Sequence, residues 1–106
     1  MSKRTAERQT AGDEASIKVI VTNRDGLHAR PSVAIVNTVS KYRASVTIRK
    51  GDQTVDASST IDVLSLAATQ GTELVVTAMG PDALEVLEAL DGLFATEFGV
   101  SYSDEN

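Results

Sequence analysis

The spacing of apolar positions along this chain changes period several times, and each change marks a new element. Ile17-Lys18-Val19-Ile20-Val21 is β-branched, with Ile17, Val19 and Val21 on one face, which predicts a strand. Asn23-Arg24-Asp25-Gly26 is turn chemistry. From Ala29 to about Ser40 the period becomes helical, and Ile35, Val36 and Val39 share a face with Ser32. Val46 and Ile48 then alternate with Thr47 and Arg49, and Lys50-Gly51-Asp52 turns the chain into Thr54-Val55-Asp56, a hairpin. A short helix opens at Ser59, with Asp62 three places on as a weak form of the capping box. Gln70-Gly71 leads to Leu74-Val75-Val76-Thr77-Ala78-Met79, the most hydrophobic strand and the one expected at the centre of a sheet. Gly80-Pro81-Asp82 starts the last helix, because proline in a first turn loses no hydrogen bond and aspartate suits the dipole. Its apolar stripe is Ala83, Leu84, Leu87, Leu90 and Phe94.

The element order is therefore β-α-β-β-α-β-α. Helices recurring among hairpin-like strands predict an α+β fold, an open-faced two-layer sandwich in which a four-stranded antiparallel sheet carries three helices on one face. Residues 1 to 15 are polar, show no apolar period and are expected to be a flexible extension. The domain is expected to span 16 to 101, with 102 to 106 as an acidic tail.

Composition narrows the function more than the fold. A chain of 106 residues suits one domain, and with two Phe, two Tyr and no Trp its small core must be aliphatic. The absence of cysteine excludes disulfides and thiolate chemistry, and with a single histidine no metal site is expected. The net charge is −5, and the first fifteen residues balance Lys3, Arg4 and Arg8 against Glu7, Asp13 and Glu14. The acidity thus belongs to the domain, which argues against nucleic acid as a partner. No apolar run approaches the ~18 residues of a membrane span, so a cytoplasmic monomer without a membrane partner is the expectation.

The single histidine, His28, stands where the strand pattern yields to the helix pattern. Most solitary histidines have no special task, and a histidine is a tolerated helix N-cap. Its neighbours give it another meaning. Gly26 permits a sharp turn and close approach of an anion to the backbone. If the helix starts at Ala29, the free N–H groups of Ala29 and Arg30 point outward beside the imidazole. Pro31 holds the first turn in helical geometry. A helix N-terminus of this kind binds anions, and the Arg30 guanidinium suits phosphate oxygens. The positive helix end also disfavours imidazolium, and a neutral ring is a nucleophile. Val33 lies roughly 110° from the centre of the buried stripe at ~100° per residue, which puts it on the surface on the His28 side. A small apolar patch beside a phosphate site suits docking of a protein.

Gly26-Leu27-His28-Ala29-Arg30-Pro31 resembles the active-site motif of the histidine-containing phosphocarrier (HPr) proteins of the bacterial phosphotransferase system. The likeness runs from about Ser16 to Phe98, and the ending, with Gly-Pro-Asp-Ala, a Leu-Phe pair, Phe98 and an acidic tail, looks closest to the nitrogen-related branch. The resemblance implies that His28 accepts a phosphoryl group on Nδ1 from phosphorylated enzyme I, charged by phosphoenolpyruvate, and passes it to enzyme IIA. It implies that Arg30 stabilises the group in transfer, helped by the backbone N–H groups of Ala29 and Arg30. The chain would then be a stoichiometric carrier without a cofactor, not an enzyme. Ala29, Val33, Thr60, Ile61 and Leu64 would form the docking surface. Ser59 matches the serine that a dedicated kinase phosphorylates, and a phosphorylase clears, in many of these proteins. Its flanks differ from the family pattern, with Ser58 before it and Thr60 after it, and a helix cap explains this serine equally well.

A competing expectation keeps the fold but makes it a regulatory binding module, switched by phosphorylation of the histidine or the serine. Retention of both His28 and Arg30 favours transfer. An RNA-binding domain of the same architecture would need strand aromatics for base stacking, which the strands lack.

Overall fold

The computed structural model describes residues 14–99. Four strands, β1 (Glu14–Ile20), β2 (Ser45–Lys50), β3 (Gln53–Asp56) and β4 (Glu73–Met79), form one antiparallel sheet in the order β1-β4-β2-β3. Three α-helices, α1 (Ala29–Val39), α2 (Thr60–Ser65) and α3 (Ala83–Ala95), complete the expected element order, and a short 3₁₀ turn follows at Glu97–Gly99.

Alternation along the strands builds the two layers. Ala15 and Val19 of β1, Val46 and Ile48 of β2, and Leu74, Val76 and Ala78 of β4 are buried, while their neighbours face outward. On the outward face Ser16 and Thr77 share a hydroxyl hydrogen bond of 2.8 Å, and Lys18 meets Glu73 at 3.2 Å. The most hydrophobic strand, β4, lies between β1 and β2, as its composition predicts. β2 turns through Gly51-Asp52 into β3, with Lys50 opposite Gln53.

Three expectations need correction. First, β1 begins at Glu14, so Glu14 and Ala15 belong to the sheet and not to an extension ending at residue 15; Ala15 is buried opposite Ala78. Alanine is too weak a signal to extend an alternating pattern by itself. The remainder of the extension and the tail at 102 to 106 lie outside the described residues. Second, α3 buries Val86 completely and leaves Leu84 half-buried, so its stripe is Ala83, Val86, Leu87, Leu90 and Phe94. The helix meets β1 and β4 on a face rotated from the one its leucines outline. Third, α3 begins at Ala83 with Asp82 as its N-cap, so Pro81 precedes the first turn to which the sequence pattern assigns it; the Asp82 carboxylate accepts the N–H of Arg43 at 2.8 Å. It ties the β4–α3 turn to the segment entering β2.

The helical layer holds its members through α1, which packs against both α2 and α3. Pro31, Ser32, Ile35 and Val39 form its buried face, with Val36 half-buried beside them. No helix among the described residues is long and apolar enough to cross a membrane.

Candidate functional site

The site is a loop before it is a set of side chains. The connection from β1 to α1 is stitched to the one between α2 and β4. The N–H of Val21 donates to the carbonyl of Thr72 (2.9 Å), that of Gly71 to Val21 (2.7 Å) and that of Leu27 to Ala68 (2.9 Å). The Gln70 carboxamide donates to the carbonyl of Thr22 (3.0 Å). Gly26 sits at φ +69°, and a Cβ there would overlap the carbonyl oxygen of Ala68 and meet Cα of Thr69 at 3.0 Å. The close approach that requires this glycine is thus made by the protein's own α2–β4 loop, not by a bound anion as the sequence reading has it.

Within the loop, Asn23 is fully buried, and its Nδ2 donates to the carbonyl of Gly26 at 2.6 Å. The same carbonyl accepts the N–H of His28 at 3.0 Å, and the N–H of Gly26 returns to the carbonyl of Asn23. Turn composition alone conceals this arrangement; burial turns an ordinary turn asparagine into the clamp of the loop. Ser32, also fully buried, donates its hydroxyl to the carbonyl of His28 at 2.8 Å. His28 is therefore held at its own N–H and its own C=O.

His28 occupies the N-cap of α1 in extended conformation, and its side chain makes no capping bond. The ring is half-buried. Nε2 is buried, without a hydrogen-bond partner among the described residues, which leaves Nδ1 as the nitrogen that solvent reaches. Ala29 and Arg30 are exposed, and their N–H groups have no acceptor among the described residues; Pro31 has no N–H to offer. The first turn carries no acidic residue. The Arg30 guanidinium forms no ion pair among the described residues. Two free amides and the positive end of an eleven-residue helix thus adjoin the imidazole, and a guanidinium without an ion pair among the described residues stands two places along the chain.

The remaining predicted residues lie on the helical layer. Val33 is 44% exposed, Ile61 75% and Leu64 37%, and α1 and α2, which carry them, pack together. Thr60 is half-buried at the start of α2. Ser59 is the N-cap of α2: its Oγ accepts the N–H of Asp62 at 3.2 Å. Only that half of a capping box forms, because the N–H of Ser59 turns back to the carbonyl of Asp56. The Asp56 carboxylate in turn accepts the N–H (2.9 Å) and hydroxyl (2.8 Å) of Ser58. These two bonds, the backbone one foremost, hold the Asp56 carboxyl below its ordinary range.

A two-layer sheet-and-helix domain with an imidazole at an uncapped helix start is suited to holding an anionic group beside that ring. The comparisons agree with that reading. The family model for the "PTS HPr component phosphorylation site" matches residues 15–96. The chain is 40% identical over 81 residues to "Phosphocarrier protein HPr" of Xylella fastidiosa, covering 76% of this chain and 91% of that protein. It is 35% identical over 83 residues to a "Multiphosphoryl transfer protein" of Haemophilus influenzae, of which the match covers 17%. The crystal structure of an HPr from Thermoanaerobacter tengcongensis superposes with a TM-score of 0.78 at 32% identity, over 81% of this chain and 97% of the other. This chain belongs to the HPr family and is a phosphocarrier protein of the phosphotransferase system.

Proposed function

We propose that this chain takes a phosphoryl group from a phosphohistidine of enzyme I, charged by phosphoenolpyruvate, onto Nδ1 of His28, and delivers it to a histidine of an enzyme IIA protein in the cytoplasm. In each step the P–N bond to one imidazole breaks as the P–N bond to the next forms. The accepting ring attacks through the lone pair of Nδ1 and keeps its proton on Nε2, and the departing ring leaves as neutral imidazole, so no ring proton is displaced. The observation that carries the reading is the outward Nδ1 beside the unpaired N–H groups of Ala29 and Arg30. Those amides and the Arg30 guanidinium stabilise the three phosphoryl oxygens while charge is spread over them, so catalysis is positioning and electrostatics. Both chemical partners are other proteins, which makes this chain a carrier and not an enzyme.

Docking is assigned to Ala29, Val33, Thr60, Ile61 and Leu64, an apolar patch beside the site. Ser59 is proposed as the substrate of a serine kinase, and of the matching phosphorylase. A phosphate there sits at a helix start that tolerates it but adds charge next to Ile61 and Leu64, which weakens docking. Incubation with phosphoenolpyruvate and enzyme I tests the main reading. An acid-labile, base-stable phosphate should appear on the protein, vanish in His28→Ala and pass on to enzyme IIA about tenfold or more slowly in Arg30→Ala. A label that forms but never leaves for any enzyme IIA would replace the carrier reading with a regulatory binding module.

A further inference from the structure

Two buried side-chain atoms lack a hydrogen-bond partner among the described residues, and both belong to the loop that ends at the phosphoryl acceptor: Asn23 Oδ1 and His28 Nε2. Bulk solvent reaches neither. A buried polar group left unpaired costs about 1–3 kcal/mol, so a fold that carries two such atoms in one six-residue loop calls for an explanation. Their chemistry is complementary. The carboxamide oxygen of Asn23 can only accept, because the same carboxamide already donates through Nδ2 to the carbonyl of Gly26. A ring phosphorylated on Nδ1 has its remaining proton on Nε2 and can there only donate.

We propose that Asn23 is a positioning residue for the transfer. Its Oδ1 accepts the Nε2–H of the phosphorylated His28 ring, directly after a small rotation of the ring or through one bridging water, while Nδ2 keeps its hold on Gly26. The loop supports this division of labour. The Gly26 carbonyl accepts from both Asn23 Nδ2 and the N–H of His28, so a single carbonyl ties the Asn23 side chain to the backbone that carries the ring. The role follows from the phosphoryl chemistry. With Nε2 protonated, the ring leaves as neutral imidazole, whereas loss of that proton makes it a poor leaving group. An acceptor at Nε2 therefore keeps the phosphoryl group transferable to higher pH. The proposal rests on the reading of His28 Nδ1 as the acceptor of the phosphoryl group.

The test uses the full chain, labelled with ¹⁵N-histidine and phosphorylated with phosphoramidate. That small donor needs no enzyme I, so a failure of the proposed relay and a failure of this proposal are read separately. Phosphorus coupling identifies the modified nitrogen. In the wild type the Nε2–H signal should be shifted downfield, exchange slowly and show a cross-relaxation contact with the Asn23 carboxamide protons. A fast-exchanging Nε2–H without that contact overturns the proposal, and this measurement needs no variant to fold. Asn23→Asp keeps an oxygen at the same place on the side chain, whereas Asn23→Ser withdraws it, and both give up the bond to Gly26. The slow Nε2–H should survive in Asn23→Asp and disappear in Asn23→Ser. Phosphoryl loss from Asn23→Ser should fall away at a pH about one unit lower than from the wild type. If the two variants behave alike in signal and pH profile, Asn23 serves the loop's packing only and the proposal fails.

Discussion

Gly26 and Ala68 are in backbone contact across two loops: the carbonyl of Ala68 occupies the space where a Cβ of Gly26 would stand and accepts the N–H of Leu27, the next residue. The backbone that leads into His28 is thus positioned by a segment forty residues further along the chain. Gly26→Ala combines strain at positive φ with a backbone overlap that no side chain can relieve. We expect a loss of about 2–4 kcal/mol in urea unfolding and a slower phosphoryl uptake by His28. An unchanged midpoint would show that the two loops part without cost.

His28 stands where serine or aspartate would cap α1, and it makes no capping bond. Replacing it by aspartate should satisfy one of the free amides and complement the helix dipole. The expected gain is about 0.5–2 kcal/mol, with complete loss of histidine phosphorylation. Chemical denaturation beside a phosphorylation assay checks both halves. That pair of results would mean that function holds stability below what the fold could reach.

Ala67 follows the last turn of α2 at φ +49°, where alanine pays a steric penalty that glycine does not. It is exposed and bonds only through its N–H, to the carbonyl of Leu64. Ala67→Gly should stabilise the protein by roughly 1 kcal/mol, seen as a higher melting temperature, and leave phosphorylation of His28 intact. A lower melting temperature would mean that the flexibility glycine brings to the unfolded chain outweighs the strain relieved.

Asp56 gives the clearest pH dependence. Its carboxyl is held low by the N–H and hydroxyl of Ser58, so the charged form is favoured by folding. The stabilisation is present above the ordinary carboxylate range and is lost as pH falls through the lowered value. Because the side chain is exposed, the effect is small and salt-sensitive. A carboxyl ¹³C titration should place Asp56 below the other surface aspartates. In Ser58→Ala it should move part of the way back, since the stronger backbone bond remains.

The relation of sequence to structure differs element by element. The α1 stripe of Ser32, Ile35 and Val39, with Val36 half-buried at its edge, and the exposure of Val33 follow from periodicity, because side-chain direction is tied to backbone period. The central place of Leu74–Met79 follows instead from its apolar composition. Leu84 and Val86 show where that logic ends. A helix with apolar residues on several faces can settle on its sheet at more than one rotation, and the neighbours choose between them.

The same division runs through the site. Local chain chemistry determined that His28 begins a helix, that Pro31 sets its first turn and that the amides of Ala29 and Arg30 lie free, since each depends on neighbours within a few residues. Only the tertiary structure decided which ring nitrogen faces solvent, that Asn23 clamps the loop and that Gly26 yields its space to Ala68. Those outcomes depend on burial and on contacts between segments far apart in sequence, and burial is a property of the folded assembly that no short stretch of residues carries.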